Sequence, residues 1–425
     1  MTLDRSKAPE FQIPDKISLV PPLKRLLSNH IPLFYIHTPH IEAVKIEVIT
    51  AANKKLLTTD KALVPFITLH MLLEGTKEMK SEELDHFFDH YATEVDVISN
   101  FEQSGLSLLT TKKHLSHVLP LFRSLFTEAT FPDKELAKRK SQKELSISLS
   151  RDQTSARANQ LYRQGLFGQN HPYGYIAEEE DVRRVTREDL KAFYSDAFLA
   201  RPEIFVTGNL EDHQLGKIEE LFEDLHVVPA DEDVPFSATL IDKRLIEPKE
   251  KAVQASIRLG QHLIPKNHPD YHALVVFNTI LGGYFGSRLI KNIREEKGHT
   301  YGIYSSIGNL TPSDYWMVMA DVQQGYAEEV IEEVYKEIEL LKTVPVEPAE
   351  KELIRNYMIG SLMSSFSSPF DLVTRFKNVY HQGLDYNFYE EQLEFIRSFQ
   401  PEDIMRIGNS YFDRDNIMEV IVGAI

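Results

Sequence analysis

Two stretches 214 residues apart carry one pattern. Arg187-Glu188-Asp189-Leu190, Phe198 and the run Ile204 to Gly208 return as Pro401-Glu402-Asp403-Ile404, Phe412 and Ile417 to Gly423, with one extra residue before the last strand. Helix, turn, strand and glycine recur in register, which commits the chain to two related halves. The segments around them agree. In the first half, strand-like runs Ile31 to Ile36 and Ala43 to Thr50 precede an apolar helix, a strand at Leu106 to Thr111, and helices at His114 to Thr127 and Pro132 to Ser150. In the second, strand Gln254 to Gly260, apolar helix Asp270 to Leu281, strands Tyr301 to Ile307 and Tyr315 to Asp321, and amphipathic helix Tyr326 to Leu341 follow the same grammar. Between them Val227-Val228-Pro229-Ala230-Asp231-Glu232-Asp233-Val234-Pro235 is acidic, Pro-containing and aperiodic. The expected plan is α+β: an extended lead-in over 1–30, an N-terminal domain over 31–226, an acidic linker over 227–248 and a C-terminal domain over 249–425. Each domain is expected to be a mainly antiparallel sheet with helices packed on it.

Several function classes can be set aside. Asp and Glu number 64 against 47 Lys and Arg, a formal net charge of −17, which disfavours nucleic acid and anionic membrane as partners. The same balance is compatible with basic peptides as ligands, or with a solvated surface. Without cysteine there are no disulfides, thiolate zinc sites or thiol nucleophiles, leaving His, Asp and Glu as metal ligands. No apolar run of signal-peptide or membrane-spanning length occurs, so the sequence reads as soluble and cytoplasmic.

The apolar helix of the first half, Phe66-Ile67-Thr68-Leu69-His70-Met71-Leu72-Leu73-Glu74-Gly75-Thr76, carries one histidine. Phe66, Leu69, His70 and Leu73 share a side and the other faces are apolar too, so the helix is expected to be buried all round. Pro65 suits its first turn and Gly75 a left-handed terminator. A buried histidine is either a metal ligand or, more plainly, a core residue with one satisfied nitrogen.

The next helix, with Ser81 as N-cap, contains His86-Phe87-Phe88-Asp89-His90. Leu84, Phe87, Phe88 and Tyr91 make its core stripe, which turns His86 and His90 toward solvent. Gly282-Gly283-Tyr284-Phe285-Gly286 lacks the Lys-Ser/Thr ending of a phosphate loop and reads as a tight turn. Taken alone, Arg294 pairs with Glu295 or Glu296 at a helix end that Gly298 terminates, and Tyr301 opens a strand as an ordinary aromatic.

Together the His70 helix, Gly75-Thr76, His171-Pro172-Tyr173-Gly174, the two-half plan, and the stretch Gly282 to Tyr301 with its Arg288-Leu289-Ile290-Lys291-Asn292-Ile293-Arg294-Glu295-Glu296-Lys297-Gly298 core resemble the M16 (insulinase or pitrilysin-like) zinc metalloendopeptidases. The likeness runs from about residue 30 to the end and is nearest the short bacterial members, mitochondrial processing peptidase and respiratory-complex core subunits. It implies two homologous halves arranged as a clamshell. In that family an inverted His-x-x-Glu-His supplies two zinc ligands and a general base, and a more distant glutamate completes the set. The first histidine falls on Phe66, the glutamate on Leu69, and the second histidine survives as His70. The third ligand falls near Ser146, with Glu144 two residues away. One imidazole and a possible carboxylate do not hold a catalytic zinc, so no metal or other cofactor is expected on this chain.

The resemblance also assigns Arg294 and Tyr301 to the pair that reaches the scissile peptide, as donors to its carbonyl and developing oxyanion. Some short members work as pairs, one subunit with the zinc motif and one with the arginine and tyrosine. The expected function is thus a non-catalytic subunit that binds unstructured peptide and lends Arg294 and Tyr301 to a zinc-bearing M16 paralogue, with a homodimer as the other assembly. The alternatives are a structural or peptide-binding scaffold, like the respiratory-complex core subunits, and an autonomous zinc peptidase with unconventional ligands.

Overall fold

The computed structural model describes residue 17 and residues 19–51, 61–229, 243–310 and 313–424. Alternating apolar residues build one sheet in each half. The N-terminal sheet has six strands, β1 (Leu23–Leu26), β2 (Pro32–His37), β3 (Ala43–Thr50), β4 (Glu94–Ser99), β5 (Ser104–Thr111) and β6 (Glu203–Gly208), in the order β1-β2-β6-β3-β5-β4. The C-terminal sheet has five, β7 (Arg244–Pro248), β8 (Gln254–His262), β9 (Thr300–Gly308), β10 (Tyr315–Gln323) and β11 (Met418–Gly423), in the order β7-β11-β8-β10-β9. Apart from the extra edge strand β1 the two orders coincide. In each, the last strand of the half is parallel to one neighbour and antiparallel to the other: β6 to β2 and β3, β11 to β7 and β8.

The repeat that opened the sequence reading is this correspondence seen from the chain. Helices Arg187–Asp196 and Pro401–Tyr411 bury Leu190 and Ile404, and each delivers a buried phenylalanine, Phe198 or Phe412, just ahead of β6 or β11. Phe198 stacks on Phe126, and Phe412 on Phe277 at 4.4 Å. Helix Arg187–Asp196 has the reciprocal cap its sequence allows, Thr186 accepting from the Asp189 amide while Asp189 accepts from that of Thr186.

A strand presents alternate side chains to opposite faces, and here the second face of each sheet is covered by the other half. Ile204 and Val206 of β6 enter the N-terminal core, while Phe205 between them packs with Phe34, Ile36 and Val373. Val373 belongs to helix Pro369–Tyr380, which comes from the C-terminal half. Conversely, Ile421 of β11 joins the C-terminal core, while Met418, Val420 and Val422 pack with Ala158, Leu161 and Tyr162 of helix Thr154–Phe167, from the N-terminal half. Each half thus lends one helix to its neighbour's sheet.

Both loans are secured by buried polar contacts. The Tyr162 hydroxyl donates to the Trp316 carbonyl at 2.6 Å, and Arg258 of β8 donates to Asn159 and Ser155 on the lent helix. On the other side the Lys377 ammonium meets Glu47 of β3 at 2.7 Å.

Gly260 sits where the first loan is tightest. A Cβ there would lie 2.1 Å from both the Trp316 carbonyl oxygen and the Tyr162 hydroxyl, which are bonded to each other and have nowhere to go. Gly260→Ala is expected to cost about 1–3 kcal/mol or more by overpacking, read from the midpoint of urea unfolding. Gly216→Ala, in helix Asp212–Phe222 with nothing within 4 Å of the new methyl, should instead gain up to about 1 kcal/mol.

Two boundaries differ from the sequence reading. The extended lead-in contains β1, and the end of the linker is β7, paired with β11. Both are short strands with mostly exposed side chains, so neither shows the apolar alternation by which strands are recognised. The acidic part of the linker from Ala230 to Pro235, and lead-in residues 1–16, lie outside the described residues. No described helix is long and apolar enough to cross a membrane.

Candidate functional site

The His70 helix runs Val64–Met71 with Pro65 in its first turn, as expected. It is not buried all round. Ile67, Leu69 and Met71 enter the core, but Phe66, His70 and Leu73 are half-exposed along one face. The helix tightens into a 3₁₀ turn, Leu72–Glu74, and stops at Gly75, whose φ of 146° and ψ of 145° lie in the glycine-only extended region instead of the left-handed helical one.

The open face meets helix Asp133–Asp152 across a cavity of about 180 Å³ lined by Phe66, His70, Arg139, Lys143 and Ser146 among others. The Phe66 ring leans on the imidazole at 4.4 Å, and the Lys143 ammonium sits over the Phe66 ring at 3.8 Å. Glu74, 2% exposed, pairs with Arg139 and accepts from the Ser81 hydroxyl. Burial, together with the Arg139 and Lys143 cations, pushes the His70 imidazole down to about 4, the nearby Glu74 opposing; it is neutral at ordinary pH.

Ser146 faces this cavity, whereas Glu144 turns away to pair with Arg183 at 3.4 Å. Leu69 is core. Sequence reasoning missed Arg139, Lys143 and Glu74. Arg139, Lys143 and Ser146 stand at i, i+4 and i+7, one face of their helix, so a signal was there once Ser146 had been singled out.

In the following helix, Ser81–His90, the N-cap is Lys80 and not Ser81, whose hydroxyl is drawn to Glu74. His86 and His90 are exposed opposite buried Leu84 and Phe88, as expected.

The second group lies in the C-terminal half. Ile290 and Ile293 anchor a π-helical turn, Ile290–Glu296, in the core. Asn292 fixes it further, donating to Glu333 and Glu337 at 2.8 Å each. Gly298, at φ 70°, then reverses the chain into β9. The Arg294 guanidinium lies 4.7 Å over the Phe285 ring and 5.4 Å over that of Tyr301. Neither Glu295 nor Glu296 pairs with it; among the described residues Arg294 has no carboxylate partner. Phe285 is 62% and Tyr301 88% exposed. A guanidinium braced by two rings and a phenol in solvent form a donor pair looking outward. No hydrogen bond, ion pair or ring contact among the described residues joins this group to the His70 cavity.

A family profile described as "Peptidase M16 inactive domain" matches residues 184–358. "Uncharacterized zinc protease YmxG" of Bacillus subtilis is 24% identical over 348 residues, 80% of this chain and 83% of its own length. Over most of its length this chain is similar to M16 peptidases and their inactive homologues. "Non-peptidase homolog YmxG" of Helicobacter pylori is 23% identical over 365 residues, covering 83% of this chain and 82% of that one. The crystal structure of a peptidase M16 inactive domain from Pseudomonas fluorescens superposes with a TM-score of 0.84 at 21% identity, over 95% of this chain and 98% of that one.

Zinc is the metal an M16 fold implies at the His70 helix, and the residues present do not suit it. No three His, Asp or Glu side chains gather to hold a metal among the described residues. Where a dication would need carboxylate and imidazole donors, this chain places the Phe66 ring, the Leu69 side chain in the core, and the cations of Lys143 and Arg139. Purified without added zinc, the protein is expected to carry clearly substoichiometric metal by elemental analysis, unchanged in His70→Ala. Stoichiometric zinc lost in His70→Ala would restore the autonomous peptidase.

Proposed function

We propose that this chain is the non-catalytic member of a peptidase pair. It holds an extended peptide and lends Arg294 and Tyr301 to the scissile bond at a zinc-bearing paralogue's site. The observation that carries this reading is Arg294 braced between Phe285 and Tyr301 with no acid among the described residues to neutralise it. On a chain of net charge −17, a surface arginine kept free of carboxylates is available for a carbonyl or an oxyanion. The Tyr301 hydroxyl beside it, on a side chain almost wholly in solvent, makes no hydrogen bond among the described residues.

Two further features support it. β9 is the last strand of its sheet, with no described strand on its outer edge, and Tyr301 stands at its start. Such an edge can pair with an extended peptide through backbone hydrogen bonds, giving affinity with little sequence choice. The His70 cavity, with lysine over phenylalanine, supports a zinc supplied from elsewhere. A second copy of this chain would bring the same Phe66 and Leu69 and could not supply it.

The test is reconstitution. The chain is mixed with an intact His-x-x-Glu-His paralogue from the same source and cleavage of an unstructured peptide is followed. The reading expects a gain in rate that depends on Arg294 and Tyr301. No gain, or a gain indifferent to both residues, would leave the scaffold role in its place.

A further inference from the structure

Next to the His70 cavity, and sharing Phe66, Lys143 and Ser146 with it, is a second cavity of about 620 Å³. Nineteen of the described residues line it and none of these is Asp or Glu. In a chain with 64 acids against 47 Lys and Arg, that lining runs against the composition. It is also opposite in sign to what the acidic balance alone would favour in a ligand.

Two cations on the wall are held in the same way. The Lys143 ammonium rests on the Phe66 ring, and the Arg163 guanidinium lies 4.9 Å over the Phe101 ring. Among the described residues neither makes a hydrogen bond or an ion pair, and the Nε of Arg163 is buried without an acceptor. Burial also lowers the Lys143 ammonium, with no acid to offset it. A buried charged donor left without a partner is costly, and native structures usually answer it with an acceptor. The remaining wall mixes hydroxyl and amide groups such as Ser150 and Asn170 with apolar Pro65 and Ile147.

The geometry points to a binding site for a carboxylate carried on an apolar or aromatic body: the C-terminal residue of a peptide, or a free organic acid of that kind. Two ring-backed cations supply charge-assisted donors to the carboxylate, and the apolar wall takes the carbon body. A fully hydrated polyanion would waste that wall. The peptide form of this site rests on the peptide-binding reading above; the small-acid form does not.

Binding to the full chain is measured with three probes: a short unstructured labelled peptide ending in phenylalanine with a free carboxylate, the same peptide as its C-terminal amide, and N-acetylphenylalanine as competitor. The acid is expected to bind about tenfold tighter than the amide, as a charged hydrogen bond implies, and N-acetylphenylalanine to displace it. In Lys143→Gln/Arg163→Gln, with its melting temperature checked, the acid and amide should bind alike. Should that variant fail to fold, the comparison of acid with amide on the unaltered chain still decides. Equal binding of acid and amide, without competition, overturns this site and leaves peptide binding standing. Competent binding of N-acetylphenylalanine with no peptide bound keeps the site and removes the peptide reading. Binding of none removes both.

Discussion

Glu47→Ala is expected to destabilise the fold by about 3–5 kcal/mol, the usual consequence of stranding one member of a buried ion pair. Glu47 is 5% and Lys377 9% exposed, and they meet at 2.7 Å between a strand of one half and a helix lent by the other. Without Glu47, the Lys377 ammonium keeps, among the described residues, the Phe205 ring 5.5 Å away. The converse change, Lys377→Ala, should cost less, because Lys45 still reaches Glu47 at 3.1 Å. Replacing both partners, Glu47→Leu with Lys377→Met, should be closer to neutral. Urea unfolding of the four proteins gives the ranking; a Glu47→Ala midpoint equal to the unaltered one would deny the pair any structural weight.

The pair also has a pH signature. Burial alone would raise the Glu47 carboxyl, but the Lys377 charge and hydrogen bond, followed by those of Lys45, outweigh it and hold the group below its ordinary 4.5. A carboxyl lowered on folding stabilises fully above its unfolded value, and that contribution is lost as pH falls through the folded one. The gap between the unaltered protein and Glu47→Ala should therefore be full at neutral pH and narrow on acidification below the ordinary carboxylate range.

Arg294→Ala, in the reconstituted pair, is expected to remove about 10²–10³ of the gain in turnover, the range for loss of one positioned oxyanion donor. Tyr301→Phe, which deletes a single hydroxyl and leaves the ring under Arg294, should lose turnover in the same direction with little change in KM, because both groups act on charge that develops during reaction. Arg294→Lys is not expected to rescue. An ammonium lacks the planar face that lies against Phe285 and Tyr301 and the fork that bonds an oxyanion twice. Peptide cleavage by the mixture, with each variant at matched concentration, checks this; unchanged rates in both Arg294→Ala and Tyr301→Phe would remove the pair from the reaction.

Much of this was legible because packing leaves its mark on residue types at fixed positions. Leu190 with Ile404, and Phe198 with Phe412, occupy matching core places, so the duplication shows at these positions. That Phe66 and Leu69 cannot ligate a metal was equally plain from the residue types. What could not be read was partnership at a distance. The apolar residues of helix Thr154–Phe167 look like any amphipathic stripe, and periodicity does not say that Leu161 and Tyr162 face a sheet ending nearly at the C-terminus. For the same reason Lys143 passed as one charge among many on a polar helix, until the structure set it over Phe66.

The lent helices decide where anything in this molecule can move. Prying the halves apart would lay bare two apolar seats, break the Tyr162 to Trp316 hydrogen bond and separate Glu47 from Lys377. Any motion large enough to part the halves has to break all of these contacts together.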